Sequence, residues 1–176
     1  GQNGAMFAWI LEYFGCTDVR VLHVFFERWV ADGHEVFYRP VTRPAKAFTA
    51  KVNPHLRTTS DEIRTTPGLK LIDFRSRDEY TGVVDRDGKP GHIPQAVNIV
   101  WRDLIGSQQE VVTSREKIQQ LVSAAGIHPG DSIVAYCRSG LRAAVGYLAL
   151  RQAGYDVSLY DRSYAEWAQR DLPVEA

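Results

Sequence analysis

Residues 132–154 read SIVAYCRSGLRAAVGYLALRQAG, and their order decides the fold. Ile133 to Tyr136 is a short apolar run of the kind that forms a buried strand. Leu141 to Ala153 carries apolar side chains at helical spacing and stops at Gly154, a residue suited to closing a helix. Only Cys137-Arg138-Ser139-Gly140 lies between them. A strand that passes so quickly into a helix aims the loop's backbone N–H groups at one spot beside the helix N-terminus. Negative charge is favoured there by the helix dipole and the unpaired amides.

Working outward, the same alternation continues. Leu69 to Asp73, Ala96 to Val100 and Val157 to Tyr160 read as further strands. Thr113 with Glu116 forms the pattern of a capping box for a helix through Ala125, closed by Gly126. A short helix is expected through Trp167. Residues 82–91, GVVDRDGKPG, form a long polar loop. Strands alternating with helices predict an α/β fold, a mainly parallel sheet covered by helices on both faces.

Residues 5–14, AMFAWILEYF, have helical spacing and end at Gly15. Val19 to Leu22 reads as a short buried strand, and residues 26–31, FERWVA, as one or two helical turns ending near Gly33. From about Pro40 to Pro67 the hydrophobic period is lost among four prolines and several threonines, with Ser60 expected to cap a short helix over 61–65. Segment 15–29 also lines up with 154–167, the spacing from Val19 to Trp29 matching that from Val157 to Trp167. The expected organisation is therefore a remnant of a first domain copy at 1–39, a linker at 40–59 and a second copy at 60–176. Some 40 residues are too few to bury a core alone. The face made by Phe7, Ile10, Leu11, Phe14, Val21 and Trp29 is expected to pack on the second unit or on a second copy of the chain, as a homodimer.

Composition narrows the partners. Hydrophobic content of 44% with 24% charged residues is that of a globular protein, and 21 basic residues balance 21 acidic ones. No global charge points to nucleic acid, and no apolar run approaches membrane-spanning length. The two cysteines, Cys16 and Cys137, have no CxxC partner, so a reducing, cytoplasmic setting is expected rather than a disulfide framework. The five histidines show no metal-ligand spacing.

The chemistry concentrates on Cys137. A sulfur at a helix N-terminus beside cationic side chains is expected to be substantially thiolate, the form that acts as a nucleophile. Arg138 and Arg142 could grip an anion in bidentate fashion, and Gly140 lets the backbone curl around the sulfur. The competing reading is a buried strand-end cysteine flanked by two surface arginines. The coincidence of arginines, glycine and helix start favours a nucleophile in an anion cradle.

Four stretches together resemble the rhodanese-type sulfurtransferases, two-domain enzymes in many members. Cys137-Arg138-Ser139-Gly140-Leu141-Arg142 fits that family's C-x4-R active loop. Leu71 to Gly82, LIDFRSRDEYTG, is similar to its LLDVRSxxEYxG signature, and Gly91 to Ile99, GHIPQAVNI, to its GHIPGAVNIP signature. Tyr160 to Trp167, YDRSYAEW, resembles its C-terminal YDGSWxEW, with Arg162 in place of a glycine. The resemblance implies a rhodanese-like sheet and a Cys137 persulfide formed from thiosulfate. The acceptor would be a thiol or cyanide, and no metal or organic cofactor is required. Arg138, Ser139, Gly140, Leu141 and Arg142 would bind the small anionic donor, with Arg75 either at the rim or in a salt bridge to Asp78, Glu79 or Asp103. Asp73 and Glu79 would be structural. Related phosphatase loops are one residue longer, so sulfur transfer is preferred to phosphate hydrolysis. Arg138 favours thiosulfate over 3-mercaptopyruvate, and a relay module fed by a protein persulfide is the alternative to an enzyme.

Overall fold

The computed structural model describes residues 1–107 and 110–176. Four strands form one sheet in the order β2-β1-β3-β4: β1 (Lys70–Asp73), β2 (Val97–Asn98), β3 (Ser132–Tyr136) and β4 (Asp156–Leu159). All three pairings are parallel, with Ile72 opposite Val97 and Ala135, and Ala135 opposite Leu159. Parallel neighbours need crossovers. Those between β3 and β4 and between β2 and β3 are α6 (Leu141–Ala153) and α5 (Arg115–Ala124).

Side-chain alternation sorts the sheet into two cores. Ile72, Phe74, Ile133, Ala135, Cys137, Val157 and Leu159 join a cluster with α5, α6 and the helix α1 (Gln2–Tyr13). Leu71, Val134, Tyr136 and Tyr160 point the other way, onto Tyr164 and Trp167 of α7 (Ser163–Gln169) and Ile63 of α3 (Ser60–Thr65). The predicted two-faced parallel sheet is thus what forms. Cys137 continues the β3 alternation onto the α6 side, which fixes the direction of its sulfur.

Several local expectations shift by a residue. Thr59, not Ser60, caps α3, because Thr59 and Glu62 complete a reciprocal box. The Ser60 hydroxyl is instead committed to Glu166 and Arg170. Ser114 rather than Thr113 caps α5, its Oγ accepting from the Lys117 amide, while the Thr113 amide is drawn to Leu104 O. α6 spans the predicted residues, and Gly154 closes it in the left-handed conformation.

The N-terminal region departs further. α1 lies against α6, with Trp9 Nε1 donating to Leu56 O at 2.8 Å and Tyr147 donating to Glu12. The predicted strand Val19 to Leu22 does not form. Val21 packs on the core, the neighbouring Val24 makes an isolated antiparallel bridge to Glu110, and Leu22 is 57% exposed. No strand of the sheet among the described residues lies beside it, so it has no ladder to join. The helical half of the internal repeat does form, as α2 (Phe26–Ala31), but without the strand the structure shows no partial domain copy. Within the predicted apolar face, Ile10 and Val21 pack on the core while Phe7 and Phe14 face outward. Among the described residues, no helix is long and apolar enough to cross a membrane.

Candidate active site

Cys137 leaves β3 and Gly140 caps α6, so the loop is the short connection expected. Gly140 holds φ at +88°, and a Cβ there would stand 2.7 Å from Asp161 O. A side chain is thereby excluded where the loop turns tightest. The carbonyls of Cys137 and Arg138 accept from the amides of Tyr164 and Ala165 in the first turn of α7. Turning these carbonyls toward α7 leaves the opposite side of the loop to its amides. Those of Arg138, Ser139, Gly140 and Leu141 find no hydrogen-bond acceptor among the described residues. Together with the N-terminus of a three-turn helix they make a ready anion cradle.

The Cys137 amide donates to Ser163 Oγ at 3.2 Å, and Ser163 Oγ donates to Tyr160 O. Ser163 is buried with φ at +58°, a costly conformation for a non-glycine residue that these two bonds hold in place. It lies within the YDRSYAEW stretch, yet its link to the cysteine cannot be read from that pattern. The Cys137 side chain itself is covered, the residue being 1% exposed.

Both loop arginines are paired. Arg142 grips Glu79 with two bonds, Nη1 to Oε2 at 2.6 Å and Nη2 to Oε1 at 2.9 Å. Glu79 also accepts from the Ser76 amide and hydroxyl, in the capping box of α4 (Arg77–Tyr80). Burial disfavours its charge, but Arg142 and Ser76 more than offset this and hold its carboxyl at about 2. The Arg142 pKa is raised, chiefly by Glu79 against the cost of burial, with a further contribution from its interaction with the Cys137 side chain. Arg142 is thus held by a fixed carboxylate while the Cys137 side chain adds to the electrostatic stabilisation of its charge. Arg138 meets Asp87 of the polar loop through Nε at 3.0 Å to both carboxylate oxygens and Nη2 at 2.8 Å. Asp87 lies 51 residues from Arg138, and a partner at that separation leaves no local signature in the sequence.

Ser139 is exposed at the mouth of the loop and Leu141 opens α6. Arg75 is a correction. It was expected at the rim, but its side chain is 4% exposed and engages Asp73 with Nε and Nη2, donates to Gly91 O and stacks over Tyr164. Its Nε and Nη2 are thus directed inside the protein, beneath the helix whose Tyr164 amide holds the Cys137 carbonyl. Asp73 orients this arginine and its amide, as expected of a strand-end aspartate. Trp101 is half-buried beside the core, and Cys16 is likewise only half-buried.

The chain as a whole has relatives among known proteins. The rhodanese-like domain family model matches residues 58–170. A putative thiosulfate sulfurtransferase 1 of Mycobacterium bovis is 30% identical over 99% of this chain and 69% of its own length. A thiosulfate sulfurtransferase of Gallus gallus is 33% identical over 94% of this chain and 58% of its own. Among solved structures, a probable thiosulfate sulfurtransferase superposes with a TM-score of 0.79 at 26% identity, covering all of this chain and 69% of that one. The anaerobic ergothioneine biosynthesis enzyme of Chlorobium limicola shares the fold, with a TM-score of 0.89 at 22% identity. The chain spans 45% of that enzyme's length. A parallel sheet that delivers a cysteine loop onto a helix N-terminus, and relatives matched over nearly the whole chain, lead to one conclusion: the chain belongs to the rhodanese-like domain family of sulfurtransferases.

Proposed function

We propose that this chain transfers a sulfane sulfur from thiosulfate, through a persulfide on Cys137, to cyanide or a thiol. The observation that carries the reading is the loop itself. It has one cysteine at a strand end, Arg142 interacting with its side chain, and a run of loop amides with no other acceptor. The thiolate attacks the outer sulfur of thiosulfate, an S–S bond forms to Cys137, and the original S–S bond breaks as sulfite leaves with its electron pair. The terminal persulfide sulfur then carries the negative charge, which the amides of residues 138–141 and the α6 N-terminus stabilise. An acceptor attacks that sulfur and restores the thiolate, cyanide leaving as thiocyanate. With cyanide or a thiolate as acceptor no proton has to be carried by another side chain in either half-reaction; a thiol gives up its proton to solvent before its sulfur attacks.

Thiosulfate is favoured as the donor because Arg138 and Arg142 place two cations at the loop and because the named relatives at about a third identity are thiosulfate sulfurtransferases. The decisive test is intact-protein and peptide mass spectrometry after exposure to thiosulfate. One added sulfur is expected on Cys137, none on Cys16, and none in Cys137→Ser. A 3-mercaptopyruvate competitor should load the site less readily than thiosulfate. Loading by mercaptopyruvate alone would reverse the choice of donor, and loading only by a protein persulfide would make the chain a relay. Full thiosulfate turnover by Cys137→Ser would end the mechanism.

A further inference from the structure

The two loop arginines are both neutralised, but by carboxylates with different numbers of other partners. Glu79 is 6% exposed and sits inside a capping box, accepting from Ser76 twice as well as from Arg142. It cannot leave without undoing the start of α4. Asp87 has no such commitment: its carboxylate accepts from Arg138 alone among the described residues, and the Arg138 side chain is 43% exposed.

Asp87 also rides on a distinctive segment. Residues 82–91 close on themselves, since a Cβ on Gly82 would lie 3.0 Å from the Gly91 amide nitrogen, so the loop has the closed neck of an Ω-loop. Its base is tied by the Val84 amide to Asp78 O, by Tyr164 to Lys89 O at 2.7 Å and by Lys89 to Asp171. Asp85 Oδ1 accepts from the amides of Asp87 and Lys89, which sets the backbone of the tip. The backbone is fixed at both sides of Asp87, and only its side chain crosses to the cysteine loop. The Asp87 carboxylate presents two oxygens to the same guanidinium edge, Nε and Nη2, that an incoming sulfonate-like group would take.

We infer that Asp87 is an internal competing anion: it occupies Arg138 in the resting protein, and an anionic donor gains Arg138 by displacing it. This rests on the sulfur-transfer reading and adds a determinant of donor specificity to it. Only an oxyanion able to make two parallel contacts replaces the carboxylate without loss, so weaker or singly coordinating anions are screened out. When sulfite has formed, the carboxylate returning to Arg138 assists its departure. Asp87 is therefore a positioning residue acting through Arg138, and it forms or breaks no covalent bond.

The test is Asp87→Asn, with Asp87→Glu as the conservative variant. The Asp87 side chain is 12% exposed and the Arg138 side chain 43%, so the pair is open to solvent on the arginine side; losing this competitor should lower the KM for thiosulfate about fivefold, while kcat does not rise in proportion. Asp87→Glu should return KM toward the parent value. A second readout needs no turnover: alkylation of Cys137 by iodoacetamide, with inert sulfate as protecting anion. Sulfate should protect Asp87→Asn at about fivefold lower concentration than the parent. If thiosulfate turns over but KM and protection are unchanged or weakened in Asp87→Asn, the competing-anion role is wrong and sulfur transfer stands. If thiosulfate never turns over yet sulfate protects Asp87→Asn at lower concentration, the role holds and the sulfur-transfer reading fails. Absence of protection in parent and variant alike overturns it.

Discussion

Glu79→Gln removes the fixed carboxylate of the Arg142 pair while keeping shape and hydrogen-bonding atoms. In the folded chain the Glu79 carboxyl titrates at about 2 against an ordinary value of 4.5. A depression of that size corresponds to about 3 kcal/mol of native-state stabilisation above pH 5. The Arg142 side chain is 21% exposed, and solvent screening reduces the expected effect to about 2 kcal/mol. Because the folded pKa lies below the unfolded one, this contribution is complete above the unfolded value and is lost as pH falls through the folded one. Urea unfolding of parent and Glu79→Gln should therefore differ by about 2 kcal/mol near neutral pH and by less than about 1 kcal/mol near pH 3. Other carboxylates titrate in both proteins and cancel in the difference. A gap that stays constant from neutral pH to pH 3, or no gap at neutral pH, would refute the account of Glu79 as an ionised anchor for Arg142.

Two further substitutions probe the frame beneath the site. Gly146→Ala should cost about 3 kcal/mol or more in denaturant unfolding, because its methyl would stand 2.4 Å from two ring atoms of the fully buried Phe74; a change within about 0.5 kcal/mol would mean that α6 does not press on Phe74 as described. Asp73→Asn leaves the Arg75 guanidinium buried without a counter-charge and should cost about 3–5 kcal/mol; a mild loss of stability with selective loss of thiosulfate affinity would restore Arg75 to a donor-binding role.

Much of the site was readable because it is local. β3, the four-residue turn and α6 follow one another without interruption, so apolar run, glycine and helical spacing suffice to place Cys137 on a helix N-terminus. The same locality explains the N-terminal misreading. Val19 to Leu22 has the composition of a strand, but a strand requires a neighbour, and composition carries no information about whether one is present. The single-residue shifts at Thr59 and Ser114 have a similar origin: adjacent hydroxyl residues offer alternative caps, and remote partners such as Glu166 and Leu104 decide which is used.

By itself, then, the sequence determined the alternation of strands and helices, the position of the nucleophilic loop and the presence of two arginines beside it, all of which depend on neighbours within a few residues. Only the tertiary structure decided what those arginines do. Arg142 is locked to Glu79 63 residues away, and Arg138 meets Asp87 across 51 residues. The physical reason is that a cation binds whichever carboxylate the packed chain brings within about 3 Å, and that choice is made by the crossing of elements rather than by the order of residues.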